Sequence, residues 1–313
     1  MATDSRATAF VTEAAGFIGI ELVKVLVARG HPVFGLTDSL EAAERVRGAG
    51  GIPVMGSMLE PGPWQDETAA DWVFHLPPRV TDWRRATRRR AASIMRARLL
   101  MDANLLDAVA AGATRRIVYV SDTTCYGATG LRPITEDAPP QPSAWAGCLA
   151  PALKRVDDYV VAGQPIVTAF PGWVYGDRGW FRERVFEPIL SGRRVLLFGK
   201  TRPWMSPIHV EDCARALVHL AGRGEPGGRY FLVNRDPIRL DEFAETFARL
   251  AHRPLRVLRV PAVAARFVVG PVLGDLLRAN AVFSNIRLRG IGFRFLYPTI
   301  GEGLRQIVGA LGE

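Results

Sequence analysis

The first half of the chain alternates between short apolar runs and longer segments with helical spacing. Residues 7–12 have the pattern of a short buried strand, and residues 16–29 follow with apolar side chains three and four positions apart. Gly30 is placed to end that helix, and the next strand is predicted at residues 32–36. The alternation continues to a strand at residues 165–170. This pattern predicts an α/β fold of the Rossmann type, a doubly wound parallel sheet with helices on both faces.

Beyond Pro171 the pattern becomes mixed, with short strands near residues 194–198 and 229–233 between helices. The sequence contains no internal repeat and no linker long enough to separate independent domains. We therefore predict a Rossmann-type domain over residues 1–171. Residues 172–313 should form mainly a smaller, mixed substrate-binding lobe, with some segments returning to the large sheet.

Composition narrows the classes of partner. Apolar residues make up 48% of the 313 residues and charged residues 23%, which favours a packed core. The net charge is +9, but arginine is the general cation of this chain, which has only three lysines. No aromatic residues are interleaved with the arginines as a single-strand binding groove requires, so nucleic acid is not an expected partner.

Membrane and metal chemistry are not expected either. No apolar stretch is long and uninterrupted enough to predict a membrane span, and no signal segment begins the chain. The three cysteines are scattered, with no metal-ligand spacing, which favours a reducing cytoplasm and predicts no metal site.

Seven motifs occur in order along nearly the whole chain, at residues 11–19, 73–76, 104–108, 119–127, 171–176, 208–212 and 297–303. With these motifs the chain resembles the extended short-chain dehydrogenase/reductases, and among them the NAD-dependent epimerase/dehydratase family. The resemblance implies a small-molecule substrate and an NAD(P) cofactor. It also implies a homodimer as one assembly, because relatives commonly pair through the two long helices beside the sheet.

The resemblance places a glycine-rich turn after the first strand, where the backbone can approach a diphosphate at a helix N-terminus. Gly16 and Gly19 match two of its three glycines, and Phe17 and Ile18 supply backbone groups between them. The first glycine position is Glu13, whose carboxylate would repel a diphosphate. We hypothesise that Glu13 occupies the anion site itself, near the positive end of the helix dipole.

Other cofactor positions also depart from the family pattern. They are Thr37 at the acidic ribose position with Asp38 one residue later, Ser57 at the adenine aspartate, Pro77 and Pro78 at two small residues, and Arg98 at the helix asparagine. These departures predict weak dinucleotide binding or none. We therefore expect chemistry that requires no cofactor, with NAD(P) as the only candidate if one is used.

The family's catalytic residues are a Ser or Thr followed by Tyr-x-x-x-Lys, and the tyrosine acts as acid and base. Asp122 stands at the Ser/Thr position. One alignment register places Ala150 at the tyrosine and keeps Lys154, and a second places Trp145 and Leu149 at the two positions. Neither register supplies a phenol, so hydride transfer of the family type is not expected.

Asp122 and Lys154 could instead form a charge pair that moves protons in the cleft, with Thr123 beside them. The alternatives are that Asp122 caps the following turn and that Lys154 pairs with Asp158 on the helix surface. Tyr126 is near enough in sequence to act as a substitute phenol, although the ordinary role of a tyrosine there is packing.

Four tryptophans fall in segments that line the substrate cleft of relatives, namely Trp145, Trp173, Trp180 and Trp204. Core packing is the alternative role for part of this set, and the others would suit a flat, apolar or aromatic ligand. The first hypothesis is a non-redox enzyme that carries out isomerisation, cyclisation, elimination or addition on such a metabolite, by analogy in bacterial specialised metabolism. The alternatives are an NAD(P)-dependent oxidoreductase or epimerase with a shifted acid, and a non-catalytic ligand-binding protein.

Overall fold

The computed structural model describes residues 6–76, 88–110, 114–127, 130–141, 150–198, 202–261 and 280–312. In chain order the strands are β1 (Ala9–Val11), β2 (Val33–Thr37), β3 (Ile52–Met55), β4 (Trp72–His75), β5 (Arg116–Val120), β6 (Ile166–Pro171), β7 (Trp173–Tyr175), β8 (Val195–Phe198), β9 (Trp204–Met205), β10 (Pro207–His209), β11 (Arg229–Leu232), β12 (Ile238–Arg239) and β13 (Val257–Val260).

The helices are α1 (Phe17–Ala28), α2 (Leu40–Gly48), α3 (Arg88–Ala110), α4 (Ala150–Val161), α5 (Gly179–Phe181), α6 (Glu187–Leu190), α7 (Val210–Arg223), α8 (Leu240–Leu250), α9 (Ile286–Gly290) and α10 (Ile300–Gly312). A π-helical turn over Arg182–Phe186 joins α5 to α6, and short 3-10 helices lie at Pro63–Thr68 and Thr123–Tyr126.

Seven parallel strands form the central sheet in the order β11-β6-β5-β4-β1-β2-β3. Ala9 of β1 pairs with Val33 of β2 on one side and with Trp72 of β4 on the other. The order of strands reverses between β1 and β4, which is where an open α/β sheet forms a crevice at its carboxyl edge. The predicted doubly wound parallel sheet of the Rossmann type is confirmed.

Each face of the sheet has its own core, because neighbouring side chains of a strand point to opposite faces. Val11 packs with Leu26 of α1 and Leu217 of α7 on one face. Phe10 packs with Leu105 of α3 on the other face, which α4 also covers. Strand β1, which leads into the first turn, therefore lies between two buried layers.

The C-terminal lobe has mixed structure. Its small sheets are the parallel pairs β7–β10 and β8–β13 and the antiparallel pair β9–β12. Its core brings α8 and α10 against an aromatic cluster that includes Phe181, Phe186, Phe243 and Phe247. Two segments beyond residue 171 belong to the large sheet, since β11 pairs with β6 and α7 packs on α1. No helix in the described ranges is long and apolar enough to cross a bilayer.

Candidate functional site

A cleft of about 540 Å³ opens at the carboxyl edge of the sheet. Glu13 after β1, Thr37 and Asp38 at the end of β2, and Ser57 after β3 line it. The N-terminal turn of α1 and the loop around Arg178 close its other side. The cleft therefore lies at the crevice that the strand order creates.

The N-terminus of α1 faces this cleft without a side-chain cap. Gly16 is the N-cap residue and makes no capping hydrogen bond, and the N–H groups of Phe17 and Ile18 have no partner among the described residues. A Cβ atom on Gly19 would lie 2.0 Å from the Glu13 carbonyl oxygen, so only glycine permits this packing of helix on turn. Free amide groups and the helix dipole make this end a site for an anionic group.

Glu13 is the residue in this turn that is least expected at an anion-binding site, because it is acidic. Its φ is +52°, in the left-handed region, and its carbonyl oxygen accepts a hydrogen bond from the Gly16 N–H at 2.9 Å. Burial, and secondarily the carboxylate of Asp38, raise the pKa of Glu13 to about 7. Glu13 is therefore partly protonated near neutral pH, and in its neutral form it does not repel a phosphate.

No hydrogen bond in the described part of the chain supports the hypothesis that Glu13 itself occupies the anion site. Among the described residues, no backbone N–H of α1 donates to the Glu13 carboxylate. The carboxylate instead lines the cleft, with one oxygen 3.9 Å from where a Cβ on Gly16 would be. The helix N-terminus thus stays available, and the residues of the turn fit a diphosphate when Glu13 is protonated.

The far end of the cleft is polar. Thr37 is buried at the end of β2, with its hydroxyl 3.5 Å from the Met55 sulfur, while Asp38 is exposed. Arg45 of α2 also lines the cleft, paired with Glu41 at 2.7 Å. A hydroxyl, a carboxylate and a guanidinium therefore line this end of the cleft.

The structure does not bring Asp122 and Lys154 together. Asp122 caps the short helix after β5, accepting a hydrogen bond from the Thr124 N–H at 2.8 Å. Lys154 is 76% exposed and pairs with Asp158 at 3.1 Å. Within the described ranges no hydrogen bond or ion pair joins Asp122 to Lys154. The paired proton-transfer role stays a prediction, without contact geometry in this structure to support it.

Thr123 and Tyr126 lie in the same short helix, and both are buried. The Tyr126 ring packs edge-on against Phe170 and Phe231, with centroids 5.2 and 4.8 Å away. Its hydroxyl is buried and makes no hydrogen bond of standard geometry among the described residues, but the guanidinium of Arg229 lies near enough to interact with it. Burial raises the pKa of Tyr126 against the opposing effect of the nearby Arg229. This geometry supports packing rather than a substitute acid.

We expect Tyr126→Phe to leave the free energy of unfolding within about 1 kcal/mol of the wild type, because the hydroxyl makes no hydrogen bond of standard geometry and Arg229 keeps its pair with Asp157. Tyr119→Phe is the matched control, since its hydroxyl donates to Asp102 at 2.8 Å, and it should cost about 1.5–3 kcal/mol. Urea denaturation monitored by circular dichroism measures both. Equal losses in the two variants would show that the Tyr126 hydroxyl is bonded.

The sequence reasoning missed a buried polar network beneath the cleft. Asp102 of α3 is its centre and accepts from His75 Nε2 at 2.6 Å, from Arg98 Nε at 2.9 Å and from the Tyr119 hydroxyl at 2.8 Å. His75 and Tyr119 are direct neighbours across β4 and β5. The network therefore ties α3 to the two central strands.

Arg98, which stands at the family's asparagine position, makes two further contacts. Its Nη2 donates to the Val120 carbonyl at 2.9 Å, and its guanidinium lies 4.9 Å from the Tyr119 ring centroid. Burial opposes the ionised form of Asp102, but Arg98 and His75 outweigh it and lower the pKa of that carboxyl. For His75 it is burial itself that lowers the pKa, because burial opposes the charged imidazolium. The network thus holds a charged Arg98–Asp102 pair and a neutral histidine. The i, i+4 spacing of Arg98 and Asp102 was the one sequence signal for it.

The structure describes three of the four tryptophans that were predicted to line the substrate cleft. Trp173 and Trp180 lie together in the C-terminal lobe, with ring centroids 5.6 Å apart. Trp204 stacks under Arg239, whose guanidinium carbon lies 4.7 Å from the ring centroid. Trp145 lies outside the described residues, as do Leu149, Pro77 and Pro78. Among the described residues no group of His, Cys, Asp and Glu could hold a metal ion.

Comparison with known proteins gives consistent relatives. The model of the NAD dependent epimerase/dehydratase family matches residues 9–233. A 4-hydroxy-2-methyl-3-oxo-4-farnesyl-3,4-dihydroquinoline-1-oxide ketoreductase of Stigmatella aurantiaca is 29% identical over 270 residues, which cover 82% of this chain and 77% of that protein.

Two solved structures share the fold. The UDP-glucuronic acid 4-epimerase of Bacillus cereus, in complex with UDP-glucuronic acid and NAD, has a TM-score of 0.82 at 16% identity, covering 97% of this chain and 99% of that one. The human epimerase family protein SDR39U1 with NADPH has a TM-score of 0.78 at 21% identity, covering 96% and 99%.

These findings correct one expectation from the sequence. The expectation that the chemistry requires no cofactor is wrong, because the matched family is NAD dependent and its structural neighbours hold NAD or NADPH. The reasoning erred by treating Glu13 as a fixed negative charge, whereas burial raises its pKa to about 7. The family model spans well over half of the chain, so this protein belongs to the NAD-dependent epimerase/dehydratase family.

Proposed function

We propose that this protein is an NAD(P)-dependent oxidoreductase of the epimerase or reductase type, acting on a carbonyl or hydroxyl group of a small apolar or aromatic metabolite. The observation that carries the proposal is the uncapped N-terminus of α1, which faces a cleft with polar groups at its far end. The ketoreductase relative and the family match support the hypothesis of a redox reaction over that of a non-redox reaction.

Different groups of the chain would bind different parts of the cofactor. The N–H groups of Phe17 and Ile18 would bind its diphosphate at the end of α1. Thr37 and Arg45 would hold the ribose next to adenine. An arginine in that place suits a 2′-phosphate, so we propose that NADPH is preferred. When bound, the nicotinamide supplies or accepts the hydride.

The proton must come from a group other than the usual tyrosine. Ala150, the first residue of α4, is exposed and carries no acid, and Tyr126 is buried among phenylalanines. Asp122 lies at the carboxyl end of β5, on the same edge of the sheet as the cleft. We therefore propose Asp122 as the group that exchanges a proton with the substrate, with Trp173 and Trp180 on the substrate side. A homodimer through α3 and α4 also stays a proposal.

The test is calorimetric titration with NAD, NADH, NADP and NADPH, followed by NADPH oxidation with a panel of aromatic ketones. Arg45→Gln should weaken NADPH binding about tenfold and NADH binding much less, because NADH shares the ribose but lacks the 2′-phosphate that the guanidinium would pair with. Arg47→Gln is the matched control, since Arg47 is an exposed arginine on the same helix, paired with Glu44. The proposal fails if none of the four cofactors binds at millimolar concentration.

A further inference from the structure

A second pocket lies at the opposite edge of the sheet from the cofactor cleft. It measures about 300 Å³ and lies among the segments that lead into the strands and the end of α7. We call it the amino-edge pocket; its side chains are Arg6, Arg29, His31, Trp72, Val218, His219 and Arg223. Five of these seven side chains are basic, and none of the described residues that line the pocket carries a carboxylate.

Acidic residues in the described part of the chain do not neutralise the three arginines of the amino-edge pocket. Within the described ranges none of them forms an ion pair, and the adjacent Asp71 is held by Arg115 at 3.0 Å. Burial, and secondarily the charge of Arg215, lower the pKa of Arg29.

Compensation of helix dipoles does not account for this charge. The pocket lies where α1 and α7 end, at Ala28 and Arg223, and cations are common at such ends. Each helix end carries only about half a negative charge, so the two ends together offset about one cation. Three guanidinium groups exceed that, and a net positive charge is left in the pocket.

The two histidines each present a free ring nitrogen. His31 Nδ1 donates to the Ala7 carbonyl at 3.0 Å, and His219 Nε2 donates to the Ile291 carbonyl at 3.0 Å. The second nitrogen of each ring has no partner among the described residues. The His31 ring also packs against Trp72, with centroids 4.7 Å apart, which fixes its orientation.

We propose that the amino-edge pocket binds a small phosphate-bearing anion. Guanidinium groups pair with phosphate oxygens in two parallel hydrogen bonds, and the second nitrogen of each imidazole adds a single bond when the ring is protonated, since a neutral ring offers only a lone pair there. The volume of about 300 Å³ is at the lower end of the range for small-ligand sites. The site is independent of the proposed function, because no residue of the cofactor cleft belongs to it.

The test is titration of the full-length protein with sodium pyrophosphate, read by calorimetry and by the imidazole nitrogen resonances of His31 and His219. We expect saturable binding that shifts both sets of resonances. Arg29→Gln with Arg223→Gln should weaken this binding at least about tenfold. The matched control, Arg193→Gln with Arg256→Gln, removes two exposed arginines of the C-terminal lobe and should bind as the wild type does.

The outcomes separate this pocket from the cofactor cleft. Pyrophosphate bound only at the N-terminus of α1 would leave the two histidine resonances unmoved and would survive in the first double variant, and either result overturns the proposal. Vesicles containing phosphatidic acid distinguish the source of the phosphate. Binding to both vesicles and free pyrophosphate supports the site and adds a lipid headgroup as a ligand, whereas binding to vesicles alone overturns a small-ligand site.

Discussion

Glu13→Gly should tighten NADPH binding at least about tenfold at pH 8. A carboxylate roughly 6 Å from a phosphate at an effective dielectric of about 20 costs roughly 2–3 kcal/mol, and the substitution removes that repulsion. Glycine also adopts the φ of +52° that Glu13 holds in the turn without the strain of a side chain. The measurement is calorimetric titration of wild type and variant in the same buffer.

The wild type should also bind NADPH more weakly as pH rises. The pKa of Glu13 in the folded protein is about 7, and a bound diphosphate favours the protonated carboxyl further. Binding above pH 7 therefore takes up a proton, and affinity falls by as much as about tenfold for each pH unit above that value. Titrations at pH 6, 7 and 8, in two buffers of different ionisation enthalpy, measure the proton directly.

The controls separate charge from backbone strain. Glu13→Gln removes the charge and keeps a side chain, so it should abolish the pH dependence while recovering less affinity than glycine does. Glu44→Gln removes an exposed carboxylate of α2 outside the cleft and should change nothing. An affinity that is independent of pH in the wild type, or unchanged in Glu13→Gly, would show that Glu13 does not face the diphosphate.

The same raised pKa links Glu13 to folding. Because the folded-state pKa lies above the ordinary value of 4.5, the protonated residue stabilises the folded protein relative to the ionised one. That contribution is fully present below pH 4.5 and is lost as pH rises through about 7. The turn therefore combines weaker anion binding with lower stability at alkaline pH, and both effects have one cause, the desolvated carboxylate.

Most of the fold could be predicted from the sequence because its signals are local and repeated. Apolar strands alternate with amphipathic helices, and Gly19 marks the close approach of helix to turn. Helix α2 was not predicted, because only Ala42, Ala43 and Val46 of its nine residues are buried and two of these are small. The sequence does contain a signal for the start of this helix, because Ser39 is its N-cap residue and the Ser39 hydroxyl accepts a hydrogen bond from the Ala42 N–H.

The site could be predicted only in part because its chemistry depends on burial and on neighbours far apart in sequence. Asp122 and Lys154 each have a partner within four residues, and these local contacts are what the structure shows. His75 and Tyr119 meet only because β4 and β5 pair in one particular register. Sequence reasoning identified Glu13 and Arg98 as unusual but could not show how burial changes the charge of the first or which partners hold the second.

Asp102→Leu should destabilise the protein by about 3–5 kcal/mol, which is more than the loss expected for Tyr119→Phe. The substitution leaves the buried Arg98 guanidinium without its carboxylate, and it also removes the acceptor of His75 and Tyr119. An unpaired buried charge costs more than the pair contributes, because desolvation is no longer offset. Urea denaturation at pH 7 gives the change in the free energy of unfolding.

The double variant Arg98→Met with Asp102→Leu decides whether charge or packing causes that loss. Removing both charges together should recover more than half of the stability lost in Asp102→Leu, because no buried ion is left unpaired. The contribution of His75 to wild-type stability should be lost as pH falls below 6.5, since the pKa of the buried histidine is lowered and its neutral form is the folded one, and the protonation of Glu13 opposes that loss. The lowered pKa of Asp102 extends this loss below pH 3.8. If the double variant is as unstable as Asp102→Leu alone, packing around Asp102 rather than its charge holds α3 to the central strands.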